Sequence, residues 1–339
     1  MAKRSVNLDR VARELGVSAA TVSNALSGKG RVSVEMTARV RQAAVQLGYV
    51  PSQAGRALRT GRSGVLGLVL PDIGNPLFPQ IAQAIETAAS AVGYGILIAD
   101  SHGDVRAQTD AVERLIERGV EGLIIVPRRG TRIVDVGFPV AVIDTPSTPG
   151  NTVSADHWGA GELITQHLAS LGHGKVLLIG ESPTSNVQND RIGGMRAGVS
   201  VAERDIDLDV LWIETIEKKR GCGCLLGLAA KHQIGFTAFA AVSDLLALRV
   251  LTELQQAGIS VPEDASVTGF DDLIWSGVVQ PGLTTLRMDF PRIASIAIDA
   301  LLRRLNEPNA STDPVSAEVS KVPMHLVVRQ SSGPARTLG

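Results

Sequence analysis

The chain has 339 residues, 44% hydrophobic and 20% charged, with a net charge of −1. That length leaves room for two or three domains, the composition excludes disordered and fibrous classes, and no apolar run approaches the roughly 18–20 residues of a membrane span. Two cysteines one residue apart, Cys222 and Cys224, exclude a disulfide framework, and the charged first nine residues are no signal peptide, so a cytoplasmic location is expected.

The net charge hides an asymmetry. Residues 1–63 hold eleven basic and three acidic residues, a net of +8, and the remainder carries −9. A small basic head on an acidic body suggests a polyanion-binding module, although a solvated basic face gives the same count.

Residues 8–15 read as a short helix capped by Asn7, with Leu8, Val11, Ala12 and Leu15 on one face and Gly16 ending it. Val17 is an apolar plug, and Ser18 caps a second helix over 19–26. There Val22, Ala25 and Leu26 point inward, leaving Ala19, Ala20, Ser23 and Asn24 outward. Two short helices joined by a tight glycine turn make the helix-turn-helix pattern, whose second helix can enter a major groove. A helical hairpin that binds nothing remains the alternative. Asn24 can bond adenine bidentately, Ser23 or Thr21 can reach a phosphate or base, and Ala19 and Ala20 offer only apolar contact, for example to a thymine methyl. A third helix over 34–47 buries Val40, Ala43, Ala44 and Leu47. A basic stretch between glycines follows, in which Pro51 suits a first helical turn and Leu58 stands bare between Arg56 and Arg59.

After Ser63 apolar strand runs alternate with amphipathic helices. One series of strands covers 65–70, 94–99, 122–126 and 140–143; a second covers 175–179, 210–213, 238–242 and 266–270, with helices between such as 79–92 and 244–257. Repeated strand–helix units imply doubly wound parallel sheets with helices on both faces, here in two lobes. The expected organisation is an all-α head over 1–50, a linker over 51–63, a first lobe over 64–160 plus 288–321, and a second over 161–287 plus 322–330. Helix 290–305 returns to the first lobe and strand 324–329 to the second. Residues 331–339 are expected as a flexible tail, whose lack of leucine heptads argues against a tail-mediated tetramer.

In such sheets ligands sit beyond the carboxyl ends of the strands. Asp72 and Asn75 follow the first strand, Asp144 ends the fourth, and Asp156 ends the short segment 152–155. Ser243 with Asp244, and then Asp271, follow strands of the second lobe, and Arg191 starts a helix after a loop. Carboxylates and one arginine with few apolar walls suit a neutral polyol. Other roles stay open: Asp72 and Asp244 as helix caps, Asp156 paired with Arg196 or another base, and Trp158 and Trp275 as a stacking wall or as peripheral core.

Leu8-Asp9-x-Val11-Ala12, Gly16-Val17-Ser18, Thr21-Val22-Ser23, Gly48-Tyr49-x-Pro51 and Leu58-Arg59-Thr60-Gly61 follow the lactose-repressor (LacI/GalR) family in order and spacing. Pro71-Asp72-Ile73-x-Asn75-Pro76-x-Phe78, Gly269-Phe270-Asp271-Asp272 and Leu283-Thr284-Thr285 continue the resemblance to about Gln330. It implies a helix-turn-helix head on a periplasmic-binding-protein-like, type I, two-lobe α/β body. DNA contacts are then implied for Ser18, Ala19, Ala20, Thr21, Ser23, Asn24 and Tyr49. Residues 51–59 resemble a hinge helix that folds on DNA as a dimer pair, and Leu58 resembles the apolar wedge that kinks the central step. The alternative is a linker leucine resting on the body.

By the same resemblance Asn75 and Phe78 look like a sugar-contacting pair, although Phe78 also suits the core. Asp144, Arg191, Ser243 and Asp271 look like further pocket positions beside Asp72. The implied partners are double-stranded operator DNA, a sugar-like small-molecule effector and a second copy of the chain, with effector binding releasing a repressor from a near-palindromic operator. Lys218 and Arg191 keep a nucleoside or sugar-phosphate effector acting by co-repression open, and a plain cytoplasmic binding protein is the other reading.

Enzyme motifs are poorly matched. Residues 221–227 place the third glycine of a dinucleotide loop one position late, after a charged loop rather than a strand. Residues 172–176 lack Walker A spacing, no histidines stand at metal spacing, and no Gly-x-Ser-x-Gly occurs. Cys222 and Cys224 lack a second pair and are expected as buried thiols rather than a zinc site. The expectation is therefore no catalysis, no cofactor and no metal.

Overall fold

A computed structural model of the chain describes residues 7–27, 30–49, 62–127, 137–146, 148, 150–201, 205–306 and 320–336. It forms two compact units, Met1–Gly64 and Val65–Gly339. Leu58 and most of the expected hinge lie outside the described residues.

The first unit is three helices: α1 (Leu8–Leu15), α2 (Ala19–Ser27) and α3 (Val34–Leu47). The Asn7 side chain accepts from the Arg10 amide, and Gly16 closes α1 at φ 65°, a left-handed conformation that glycine adopts without a Cβ penalty. Ser18 Oγ accepts from the Thr21 amide at 3.1 Å, starting α2. Ser33 does the same for α3 through the Met36 amide at 3.2 Å. Val11, Ala12, Val22, Ala25, Val40 and Ala43 form the core, with Val17, Met36 and Tyr49 packed against it. Ala19, expected outward, is half-buried on this core; the tight turn rolls the start of α2 onto α1.

The second unit holds two parallel sheets. In the first, β1 (Val65–Leu70), β2 (Gly95–Asp100), β3 (Leu123–Ile125) and β4 (Val140–Val142) lie in the order β2-β1-β3-β4. Helices α4 (Leu77–Ala91) and α5 (Val105–Glu117) connect β1, β2 and β3. Leu66, Leu68 and Leu70 enter one core cluster while Val69 enters the other, the two-residue period of a strand buried on both faces. Then β5 (Val153–Ala155) leads into α6 (His157–Ser170).

The second sheet contains β6 (Lys175–Gly180), β7 (Asp207–Trp212), β8 (Ala238–Ala241) and β9 (Ser266–Thr268), in the order β7-β6-β8-β9. Its helices are α7 (Asn186–Val201), α8 (Ile213–Arg220), α9 (Leu228–Gln233) and α10 (Asp244–Gln256). Strand β7 begins three residues before the expected 210. It is an edge strand whose Asp207 and Asp209 face water, so its start reads as charged rather than as an apolar run.

The chain ends with β10 (Thr285–Arg287), α11 (Phe290–Asn306), β11 (Ser320–Val322) and β12 (His325–Val327). Helix α11 packs on α4 and β4, and β11 pairs with β5, while β12 pairs antiparallel with β10. Three segments thus cross between lobes, near residues 156, 288 and 323. Asp156 caps α6 through the Gly159 amide at 3.1 Å, and α6 packs along α7.

Two further expectations are corrected. Residues 331–336 are docked rather than flexible: Ser331 is fully buried and its Oγ bridges the Thr284 amide and the Val267 carbonyl. Next to it, the Gly333 amide donates to Ser266 Oγ. Cys222 is exposed and Cys224 half-buried, not buried thiols, since the two-glycine loop that carries them lies outside the sheet. Among the described residues no helix is long and apolar enough to cross a membrane.

Candidate functional site

On the head, Ala20 and Asn24 are exposed on α2, while Thr21 and Ser23 are half-buried. The Ser18 and Thr21 hydroxyls lie 2.9 Å apart, so the pair consumes part of its own bonding capacity. Tyr49 is half-buried, packs on the head core and donates its amide to the Ala44 carbonyl, leaving its ring partly available at the end of α3. Arg10, Arg13, Arg31, Arg39 and Arg41 are all exposed. The head therefore combines an exposed alanine and amide on α2 with exposed arginines on α1, on α3 and between α2 and α3.

In the body, the loops after β1, β4, β8 and β9 carry most of the expected pocket residues, while Arg191, expected to start a helix, is the sixth residue of α7 and sits in its second turn. Arg191 is 4% exposed. Its Nε donates to His157 Nδ1 at 3.3 Å, its Nη1 to the Val242 carbonyl at 2.5 Å, and its Nη2 pairs with Asp271 Oδ1 at 3.0 Å. The guanidinium also stacks 4.7 Å from the Phe270 ring centroid. The approach to Asp271 Oδ1 is an ion pair without a well-directed hydrogen bond, so that oxygen keeps acceptor capacity. Burial pushes the Asp271 carboxyl up, against the opposing pull of Arg191. Asp271 and Asp272 both hold positive φ, 105° and 50°, uncommon for non-glycine residues, and the surrounding contacts hold them there.

Asp272 receives Arg287 Nε at 2.5 Å and Arg329 Nη2 at 2.6 Å, tying the loop to the crossing segments. Asp244, considered as a cap, is not one. Fully buried, it accepts from the Leu273 amide at 2.8 Å and from the Ser276 and Thr285 hydroxyls at 2.5 Å each. Burial, and then the charge of Asp271, push its carboxyl up to about 7. Ser243 is the cap: its Oγ accepts from the Leu246 amide at 3.4 Å, which directs its lone pair into the helix.

On the first lobe, Asp144 Oδ2 accepts from Thr148 Oγ1 at 2.5 Å, and its carboxyl is pushed up by burial, with the charge of Asp190 adding to the rise. Asn75 Oδ1 accepts from the Leu77 amide at 3.0 Å. Asp72 closes a turn through the Gly74 amide at 2.8 Å and is exposed, and Phe78 packs partly into the core. Lys218, weighed as an anion contact, is bonded to Glu214 at 2.6 Å within its own helix. Trp158 is 46% exposed and donates to Glu162, and Trp275 is equally exposed.

Sequence reasoning missed His157, Phe270 and the Val242 carbonyl as partners of Arg191. The signal available was the run of small residues Gly159-Ala160-Gly161 facing Gly193-Gly194. A Cβ at Gly161 would lie 2.3 Å from the Arg191 carbonyl, and one at Gly194 2.0 Å from the Trp158 carbonyl. Only glycines allow α6 and α7 to approach closely enough for the first residue of α6 to reach Arg191.

A family model described as bacterial regulatory proteins, lacI family, matches residues 7–52, and one described as a periplasmic binding protein-like domain matches residues 165–332. The HTH-type transcriptional regulator MalR of Streptomyces coelicolor is 32% identical, with 98% of each chain covered. The ribose operon repressor of Escherichia coli strain K12 is 26% identical over 88% of this chain and 92% of that one. Among solved structures, the lac repressor dimer bound to operator and an anti-inducer superposes with a TM-score of 0.77 at 23% identity, covering 97% of this chain and all of that one.

Proposed function

The chain belongs to the lacI family of bacterial regulatory proteins, and from that premise we propose that it is a DNA-binding transcriptional repressor, not an enzyme, released from its operator by a sugar-like effector. Two chains pair and present two heads to a near-palindromic operator, with half-sites set by the two-fold axis. Ser18, Ala19, Ala20, Thr21, Ser23, Asn24 and Tyr49 face the DNA, and Leu58 wedges the central step. The effector lies in the cleft between Asp72, Asn75, Phe78 and Asp144 on the first lobe and Arg191, Ser243 and Asp271 on the second.

The observation that carries this reading is the Arg191–Asp271 pair. A buried guanidinium met internally by a carboxylate supports a neutral polyol over a phosphorylated ligand. Such a pair offers directed donors and acceptors to hydroxyls while having no net charge left for a phosphate.

The test selects operator sequences from random duplexes with the full chain, then titrates monosaccharides against the complex. Expected is a salt-steep complex, losing about 10³–10⁵ in affinity between 50 and 200 mM salt for 6–10 phosphate contacts, dissociated by at least one neutral sugar. Absence of any selected sequence refutes the regulator reading; a complex released only by sugar phosphates refutes the effector class.

A further inference from the structure

We infer that His157 is the positioning residue of the effector site, orienting Arg191 toward the cleft and joining that arginine to the crossing between the lobes. The inference rests on the effector reading above for its functional half.

The geometry places His157 at an unusual junction. It is the first residue of α6, next to Asp156, whose amide donates to the Val322 carbonyl at 2.8 Å. Two of the three crossing segments therefore meet beside it. Its side chain is 7% exposed, and its Nδ1 is the acceptor for Arg191 Nε. The other acceptors of Arg191 come from the end of β8 and the loop after β9, both within the second lobe. His157 is the partner that stands where the chain has just left the first lobe.

An arginine has five N–H donors in a fixed fork. Nε points to the rear of the fork, so the acceptor at Nε sets the plane of the guanidinium, and with it the direction in which the remaining donors point. Accepting at Nδ1 requires the neutral ring with its proton on Nε2. The environment favours that form: burial, and then the charge of Arg191, hold His157 well below its ordinary pKa. The groups facing the ring are Arg191 from α7, and behind it Asp271 from the loop after β9. Any shift of residues 155–157 as the lobes close moves the acceptor of Arg191; conversely, an effector that turns Arg191 pulls on the crossing.

The experiment compares the full chain with His157→Asn, His157→Phe and His157→Leu. Asn places a carbonyl oxygen near the position of Nδ1, Phe keeps the ring without the acceptor, and Leu removes both. The first readout is solvent exchange of the Arg191 Nε–H by ¹⁵N spectroscopy, assigned by its disappearance in Arg191→Lys. The second is binding of D-ribose, D-xylose and D-glucose, with selected operator DNA as a control.

Expected is a protected Nε–H in the natural chain and in His157→Asn. In His157→Phe, exchange should be faster and sugar binding weaker by about tenfold each, the order for a buried donor left without its acceptor, with operator affinity unchanged. Should Phe not fold, Leu gives the same comparison. Unchanged Nε–H protection in the acceptor-less variants overturns the inference and leaves the regulator reading standing. An equal loss of sugar binding in Asn and Phe also overturns it, since packing alone would then explain the effect. A natural chain that binds none of the three sugars overturns the functional half together with the proposed effector class, and the exchange readout still decides whether His157 orients Arg191.

Discussion

The Asp244 carboxyl makes the body's stability depend on pH in a direction opposite to that of ordinary surface acids. It is fully buried, and it is pushed from the usual 3.8 to about 7 by burial and by the neighbouring charge of Asp271. A group whose folded pKa is raised contributes stability that is fully present below its unfolded pKa and is lost as pH rises through its folded one. The window runs from about 4 to about 7. Three units at 1.36 kcal/mol each give roughly 4 kcal/mol as an upper figure, since Asp271 shares the titration. Asp244→Asn removes the ionisation while keeping the shape: the oxygen that accepts from the Leu273 amide and the Ser276 hydroxyl is retained, and the Thr285 hydroxyl can rotate to accept from the new amide. Urea unfolding of the full chain at pH 5, 6, 7 and 8, followed by tryptophan fluorescence, measures the effect. The natural chain should lose stability across the series relative to the variant, so that the Asn form is the more stable at pH 8. Parallel stability–pH curves for the two chains would refute the argument.

Leu58→Gly should abolish tight operator binding in anisotropy titrations while leaving effector affinity intact; unchanged operator affinity removes the wedge role. His173 is buried between Thr237, Ser266 and the Gly333 carbonyl, and burial lowers its pKa to about 4. Its stabilising contribution is present above the ordinary 6.5 and is lost as pH falls toward 4, up to about 3 kcal/mol. Native-state hydrogen-exchange protection factors of residues 331–336, corrected for the intrinsic pH dependence of exchange, should fall over that interval, and flat protection would count against the assignment. Gly194→Ala puts a Cβ 2.0 Å from the Trp158 carbonyl and should destabilise by about 1–3 kcal/mol, visible as a lower Tm; an unchanged Tm would show that α6 and α7 separate at no cost.

The elements were legible because their periods are strong and their ends are marked. Asn7, Gly16 and Ser18 sit at helix ends where side-chain chemistry and backbone sterics leave few choices, and the apolar runs of β1 and β6 have no alternative to burial on both faces. The strand-end rule also picked out Asp271, after β9, and the structure pairs it with Arg191 from within α7. What the pattern did not carry was which atoms meet. Ser243 and Asp244 are adjacent and both polar, yet one caps a helix and the other binds the strained loop 271–276 and β10. That division depends on contacts with residues about 30 to 40 positions away. Likewise the docked end of the chain reads as serine and glycine, a linker composition, until the buried sites offered by Val267, Thr284 and His173 are known.

The partners Arg191 already holds constrain how an effector can act. A ligand that merely replaces His157 or the Val242 carbonyl as a partner of Arg191 exchanges one hydrogen bond for another and gains little. A switch requires contacts that exist in one arrangement of the lobes and not in the other. In the proposed site those contacts come from pairing across the cleft. On the second lobe, Asp271 Oδ1 receives no directed donor; on the first, Thr148 occupies Asp144 through Oδ2. A polyol bridging these two carboxylates donates to both only when the lobes approach, so closure itself supplies the differential affinity. A coupling of about 1–3 kcal/mol, or 5–150-fold in operator affinity, is the order of one or two such charge-assisted bonds. By this reasoning a ligand with a hydroxyl at only one end should occupy the cleft without releasing DNA, which makes it an anti-inducer.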